Sequence, residues 1–65
     1  MDPDVAWANV LDPVWDLGTR IESGHALLDW LEGGGLIPTD LLPYKRHGAI
    51  MEVKRWVNSL EERKS

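Results

Sequence analysis

The sequence predicts an all-α domain, a small bundle of three main helices joined by a short helical turn. Three observations carry that prediction. Apolar residues recur at three- and four-residue spacing in two long segments, Val14, Leu17, Ile21, Gly24, Leu28 and Leu31, then Ile50, Val53, Val57 and Leu60. Two Asp-Pro pairs, Asp2-Pro3 and Asp12-Pro13, have the form of helix starts. No segment shows sustained alternation of apolar β-branched residues, and neither Asn-Gly nor Asp-Gly marks a hairpin.

The first helix is expected over about Pro3 to Leu11. An Asp side chain at the cap accepts a backbone N–H that the helix leaves unpaired, and Pro at the first helical position has no N–H to lose. By the same reasoning the second helix is expected to start at Pro13 and to end before Gly33-Gly34-Gly35, where backbone entropy stops a helix and a left-handed cap costs nothing. Gly18 and Gly24 each cost roughly 1 kcal/mol relative to Ala inside a helix, so a break near Gly18 or Ser23-Gly24 is the alternative. Gly24 lies on the apolar seam, where a missing side chain would admit another helix. In the segment that follows, Thr39 is expected to cap one short turn, with Leu41 and Leu42 plugging the core. The last helix is expected from about Tyr44 or His47 to near Arg63, ending in a frayed tail that reaches Ser65.

Helical phase places Trp15, Thr19, Glu22, Ala26, Asp29 and Trp30 opposite the seam of the second helix. Two Trp on one face call for cover, which the first helix is expected to supply, the alternative being that they form an exposed binding patch. The second helix is then central, with the last helix on its Leu/Ile seam and Trp56 sharing the core with Leu28 and Leu31. On the last helix the outward face is Tyr44, His47, Met51, Arg55 and Asn58, with Lys54 at its edge.

Charge is unevenly placed. Residues 1–42 hold eight carboxylates and one cation, Arg20, for a net −7, whereas residues 43–65 carry a net +3, and the whole chain is −4. An antiparallel pairing of the second and last helices would let the two blocks neutralise each other within one molecule. The N-terminus lacks the cationic start and apolar run of a signal peptide, and no segment approaches the ~20 apolar residues that span a bilayer. A cytoplasmic, soluble protein is expected.

Candidate chemistry is sparse. A chain this short buries only about 60% of its unfolded surface, leaving little volume for a cofactor or a deep cleft, and none is expected. Glu22-Ser23-Gly24-His25 is an E-x-x-H, with Asp29 and Glu32 on the same side, a spacing that serves carboxylate-bridged metals in helical bundles. Those sites need a second such motif on a facing helix, and His47 is the only other His, so no metal is expected. Ser23, Ser59, Ser65, Thr19, Thr39, Tyr44, His25 and His47 show no nucleophile–base–orienter spacing. The triglycine follows a helix and lacks the Lys-Ser/Thr of a phosphate loop. About ten residues separate the last two helices, too many for the tight turn of a helix-turn-helix. An enzyme is not expected.

In size and acidity the chain resembles the small phage-encoded inhibitors, anti-CRISPR proteins among them, some of which imitate nucleic acids. The resemblance covers overall character and transfers no site residue. It implies an inhibitor or adaptor that sets carboxylates where phosphates would lie in the basic groove of a partner. The candidate surface is Asp4, Asp12, Asp16, Glu22, Asp29 and Glu32. The partner is expected to be a basic protein, met by a monomer, without direct nucleic-acid or membrane contact. Two alternatives remain open: a self-assembling helical protein, and a weak nucleic-acid binder through Tyr44, Lys45, Arg46, His47, Met51, Lys54 and Arg55.

Overall fold

A computed structural model of the chain describes residues Met1–Lys64. Ser65 lies outside the described residues. The element order is α1 (Pro3–Leu11), α2 (Leu17–Glu32), a 3-10 helix η1 (Thr39–Tyr44) and α3 (Lys45–Lys64), and the described residues contain no strand.

The first Asp-Pro pair behaves as expected: the Asp2 carboxylate accepts the N–H groups of Asp4 and Val5, and Pro3 opens α1. The second does not. α2 begins at Leu17, four residues after Pro13, and its cap is Asp16, whose carboxylate accepts the Thr19 N–H at 3.2 Å. Asp12 already closes α1 by donating its N–H to the Ala8 carbonyl. Its carboxylate turns to the Val14 N–H at 3.0 Å, the Asx arrangement that makes a turn, and Trp15 N–H bonds back to the Asp12 carbonyl. With the Asp12 carboxylate engaged at Val14, the cap of α2 falls to Asp16, and residues 13–15 form the corner. Val14, expected on the seam, is 77% exposed as a result.

The rest of the seam is real. Ile21, Gly24, Leu28 and Leu31 are buried, joined by Leu27, and α2 runs through Gly18 and Gly24 without a break. At Gly24 a Cβ would stand 2.3 Å from Val57 Cγ2 and 3.7 Å from Val10 Cγ2. The absent side chain therefore lets α3 and α1 both close on α2. Gly24 beside Val57, His25 beside Glu61 and Leu31 beside Arg46 set α3 antiparallel to α2.

Helix α2 is central, packing against both other helices. However, α1 does not cover Trp15 and Trp30. Its fixing contacts lie at Gly24 and at Arg20, whose Nε donates to the Val10 carbonyl at 2.9 Å. Trp30 is instead covered by the chain that follows it: its indole N–H donates to the Leu36 carbonyl at 2.9 Å, and Gly35 lies so close that a Cβ there would enter the ring. Gly34, at φ +92°, makes the reversal that brings this segment back. Trp15 remains half exposed on the corner.

The core comprises Ala6, Trp7, Val10, Ile21, Leu27, Leu28, Leu31, Leu41, Ala49, Val53, Val57 and Leu60, with Trp56 packed half-buried against it. Trp7 and Trp56 meet edge-to-face, their ring centres 6.4 Å apart, and tie α1 to α3. Of the two expected plugs only Leu41 enters the core, while Leu42 is exposed. Thr39 does not cap the short helix through its own hydroxyl, since Pro38 holds the cap position. Helix α3 ends at Lys64, beside the expected Arg63, and stays regular over 61–64, where fraying is expected.

Candidate functional site

All six carboxylates of the candidate surface are exposed, yet they divide into two sets by what they hold. Asp4 accepts from the Thr39 N–H and, at 3.1 Å, from the Thr39 hydroxyl, strapping the start of η1 to α1. Asp12 and Asp16 shape the corner and the start of α2. Thr19, through its hydroxyl first and its backbone N–H second, holds the Asp16 carboxyl below the usual carboxylate range. These three build the fold.

Glu22, Asp29 and Glu32 form the second set. At 100° per residue they fall within one narrow stripe of α2, with His25 among them. Among the described residues, no cation lies within ion-pair distance of any of the three. The expected neutralisation between α2 and α3 therefore forms no ion pair at these three positions, while the charged form of Asp16 at the start of α2, favoured first by Thr19, is favoured also by Lys64 of α3. The side chain that crosses from α2 to α3 on this flank is His25, whose Nε2 is 3.2 Å from Glu61 Oε2, with both groups about half exposed. This places His25 against Glu61 and not in a ligand set with Glu22. Among the described residues no group of three or more His, Cys, Asp or Glu side chains is arranged to hold a metal ion.

The basic set divides in the same way. Tyr44, Lys45, His47, Met51, Lys54 and Arg55 are exposed. Arg46 is committed internally: its Nη1 donates to the carbonyls of Leu31 and Gly35, each at 2.8 Å. Neither α1 nor α2 has a basic residue in its last turn. The guanidinium of Arg20 serves the end of α1, and that of Arg46 serves the end of α2, so each helix receives its C-terminal cation from the helix that follows. Arg20 was absent from the candidate residues. The lone cation in an acidic stretch is the signal that would have pointed to it.

Two open grooves cut the surface. One, of about 390 Å³, lies between α1 and η1 and is lined by Trp7, Ala8, Leu11, Asp12 and Asp40 together with the Asp4–Thr39 strap. The other, of about 330 Å³, runs along α3 and is lined by Glu52, Arg55, Trp56, Ser59 and Arg63. In the first groove the Thr39 hydroxyl donates to the Asp4 carboxylate, and no His is among the lining residues of either groove. No helix among the described residues is long and apolar enough to cross a membrane. In comparisons with known proteins, the chain matches no family model, no curated protein and no solved structure.

Proposed function

We propose that the protein is a small, non-enzymatic binding module that acts in the cytoplasm as an inhibitor or adaptor, presenting the carboxylate stripe of α2 to a basic protein partner. The observation that carries this reading is that Glu22, Asp29 and Glu32 are exposed on one side of the central helix and, among the described residues, are matched by no internal cation. A helix already folded adds no backbone ordering to the cost of binding, and a one-signed stripe steers a cationic surface toward it. Glu22 and Asp29 stand about 10 Å apart along the axis, and Asp29 and Glu32 about 4.5 Å. Spacings of this order bracket the interval between phosphates on a nucleic-acid strand, so a nucleic-acid-binding protein is the partner class proposed, in the manner of the anti-CRISPR-type mimics. The module acts as a monomer and touches neither nucleic acid nor membrane itself.

The test is the triple variant Glu22→Gln, Asp29→Asn, Glu32→Gln, compared with the parent chain for capture of a partner from source-cell lysate at rising salt. The parent should retain a basic protein at low salt and release it as salt rises, while the variant, folded equally well, should not retain it. Retention by the variant, or binding that ignores salt, overturns the reading.

A further inference from the structure

The groove along α3 has the opposite character and lies on the flank of α3 that bears Trp56. Helical phase sets Glu52, Trp56, Ser59 and Arg63 on one side of the buried Ala49–Val53–Leu60 row, with Arg55 beyond them. The contact between His25 and Glu61 occupies the other side. The groove therefore faces away from the acidic stripe of α2.

Its chemistry is specific in three respects. The floor includes the half-buried Trp56, held from behind by the edge-to-face contact with Trp7. The cations are both arginines, whose planar forks match carboxylates two bonds at a time. Among the described residues the one ionic partner of the two is Glu52, paired with Arg55. Arg55 has an 80% exposed side chain and reaches Glu52 only at 3.9 Å, and Arg63 makes no ion pair with any described residue. Ser59 adds a hydroxyl between them.

We propose that this groove is a second binding surface, which takes an extended acidic segment of another protein, one with two carboxylates four residues apart. Arg55 and Arg63 are about 12 Å apart along the helix axis. In an extended segment, carboxylates four residues apart are separated by about 13 Å, and the residue midway between them points to the same face. That residue meets Ser59, midway between the two arginines, while Trp56, one residue from Arg55, lines the Arg55 end of the groove. Glu52, only 24% exposed in its side chain, sits at one end of the groove. A nucleic-acid strand repeats its charge at every nucleotide and would set a phosphate against this carboxylate, on a molecule of net charge −4. A peptide can leave that position neutral. The occupant favoured by charge complementarity is therefore a protein segment.

Fluorescence anisotropy of a labelled eight-residue peptide, Asp at positions two and six and Ser at position four, tests the assignment on the full chain. Binding is expected, and it should weaken at least about tenfold in the double variant Arg55→Gln, Arg63→Gln and for the peptide with both Asp replaced by Asn. Lys54→Gln removes a cation of the same helix that does not line the groove, and should leave binding within about twofold. Circular dichroism of the double variant checks that the helices persist, as the exposure of Arg55 and Arg63 predicts. Absence of binding by the parent chain at millimolar peptide overturns the proposal. So does equal loss in Lys54→Gln, which would reduce the effect to net charge, and so does tighter binding of an eight-nucleotide thymidine strand than of the peptide.

Discussion

Gly24 of α2 and Val57 of α3 touch so closely that the position a Cβ would take on Gly24 lies 2.3 Å from Val57 Cγ2. The two helices are thus spaced by the absence of one methyl group. Gly24→Ala should gain about 1 kcal/mol of helix propensity and lose more than that to overpacking, for a net destabilisation of about 1–2 kcal/mol. Val57→Ala alone opens a cavity at a buried site and also destabilises. The double variant should be more stable than the sum of the two single losses predicts, because the new methyl enters the space that valine leaves. Urea denaturation of the four proteins checks this, and strict additivity would show that the helices do not meet there.

Arg46→Ala should destabilise the fold by about 2 kcal/mol, since it removes a charged donor from the Leu31 and Gly35 carbonyls at the end of α2. Arg46→Lys should recover only part of this, because one ammonium on a flexible stem reproduces the reach of the guanidinium poorly. Thermal melts of the two variants distinguish this structural role from that of an exposed contact residue, which would leave the melting temperature in place.

Trp7 is 5% exposed and Trp56 only half-buried, so the two partners of the edge-to-face contact should respond unequally. Trp7→Ala should cost about 3–5 kcal/mol and Trp56→Ala clearly less. A domain of this size commands about 3–10 kcal/mol in all, so circular dichroism at 25 °C should find much of the Trp7 variant unfolded and the Trp56 variant still helical. The reverse order would make Trp56 the more deeply buried partner of the pair.

At the start of α2 the Asp16 carboxyl is held below the usual carboxylate range by Thr19. A carboxyl lowered in the folded state contributes stability that is present above its unfolded value and is lost as pH falls through the folded one. Stability should therefore decline on the acid side, and Asp16→Ala should both lower it at neutral pH and flatten that decline. Melting temperatures of the parent and the variant should converge toward the acid end, and a constant gap across pH would assign the cap to geometry alone.

Periodicity in the sequence was enough to define α2 and α3, because a 3.6-residue repeat of apolar side chains has one way to bury itself. The Asp2-Pro3 cap, the stop at the triglycine and the close approach at Gly24 are local consequences of residue type and were legible for the same reason. The start of α2 was not. Asp12 and Asp16 are equally good caps in isolation, and the choice between them depends on where α1 ends and in which direction α2 must leave. Covering Trp30 with its own following loop, and not with α1, is likewise a matter of how far the chain can fold back after Gly34.

The candidate surface divides along the same line. The sequence by itself determined how many carboxylates and cations there are and on which segment each lies. Only the tertiary structure decided which of them are spent. Asp4, Asp12, Asp16, Arg20 and Arg46 are taken up by backbone N–H and carbonyl groups left over at helix ends, whereas Glu22, Asp29, Glu32, Arg55 and Arg63 face outward. The physical reason is that a helix end must satisfy its backbone groups wherever a donor or acceptor comes within reach, and reach is a property of the packed chain.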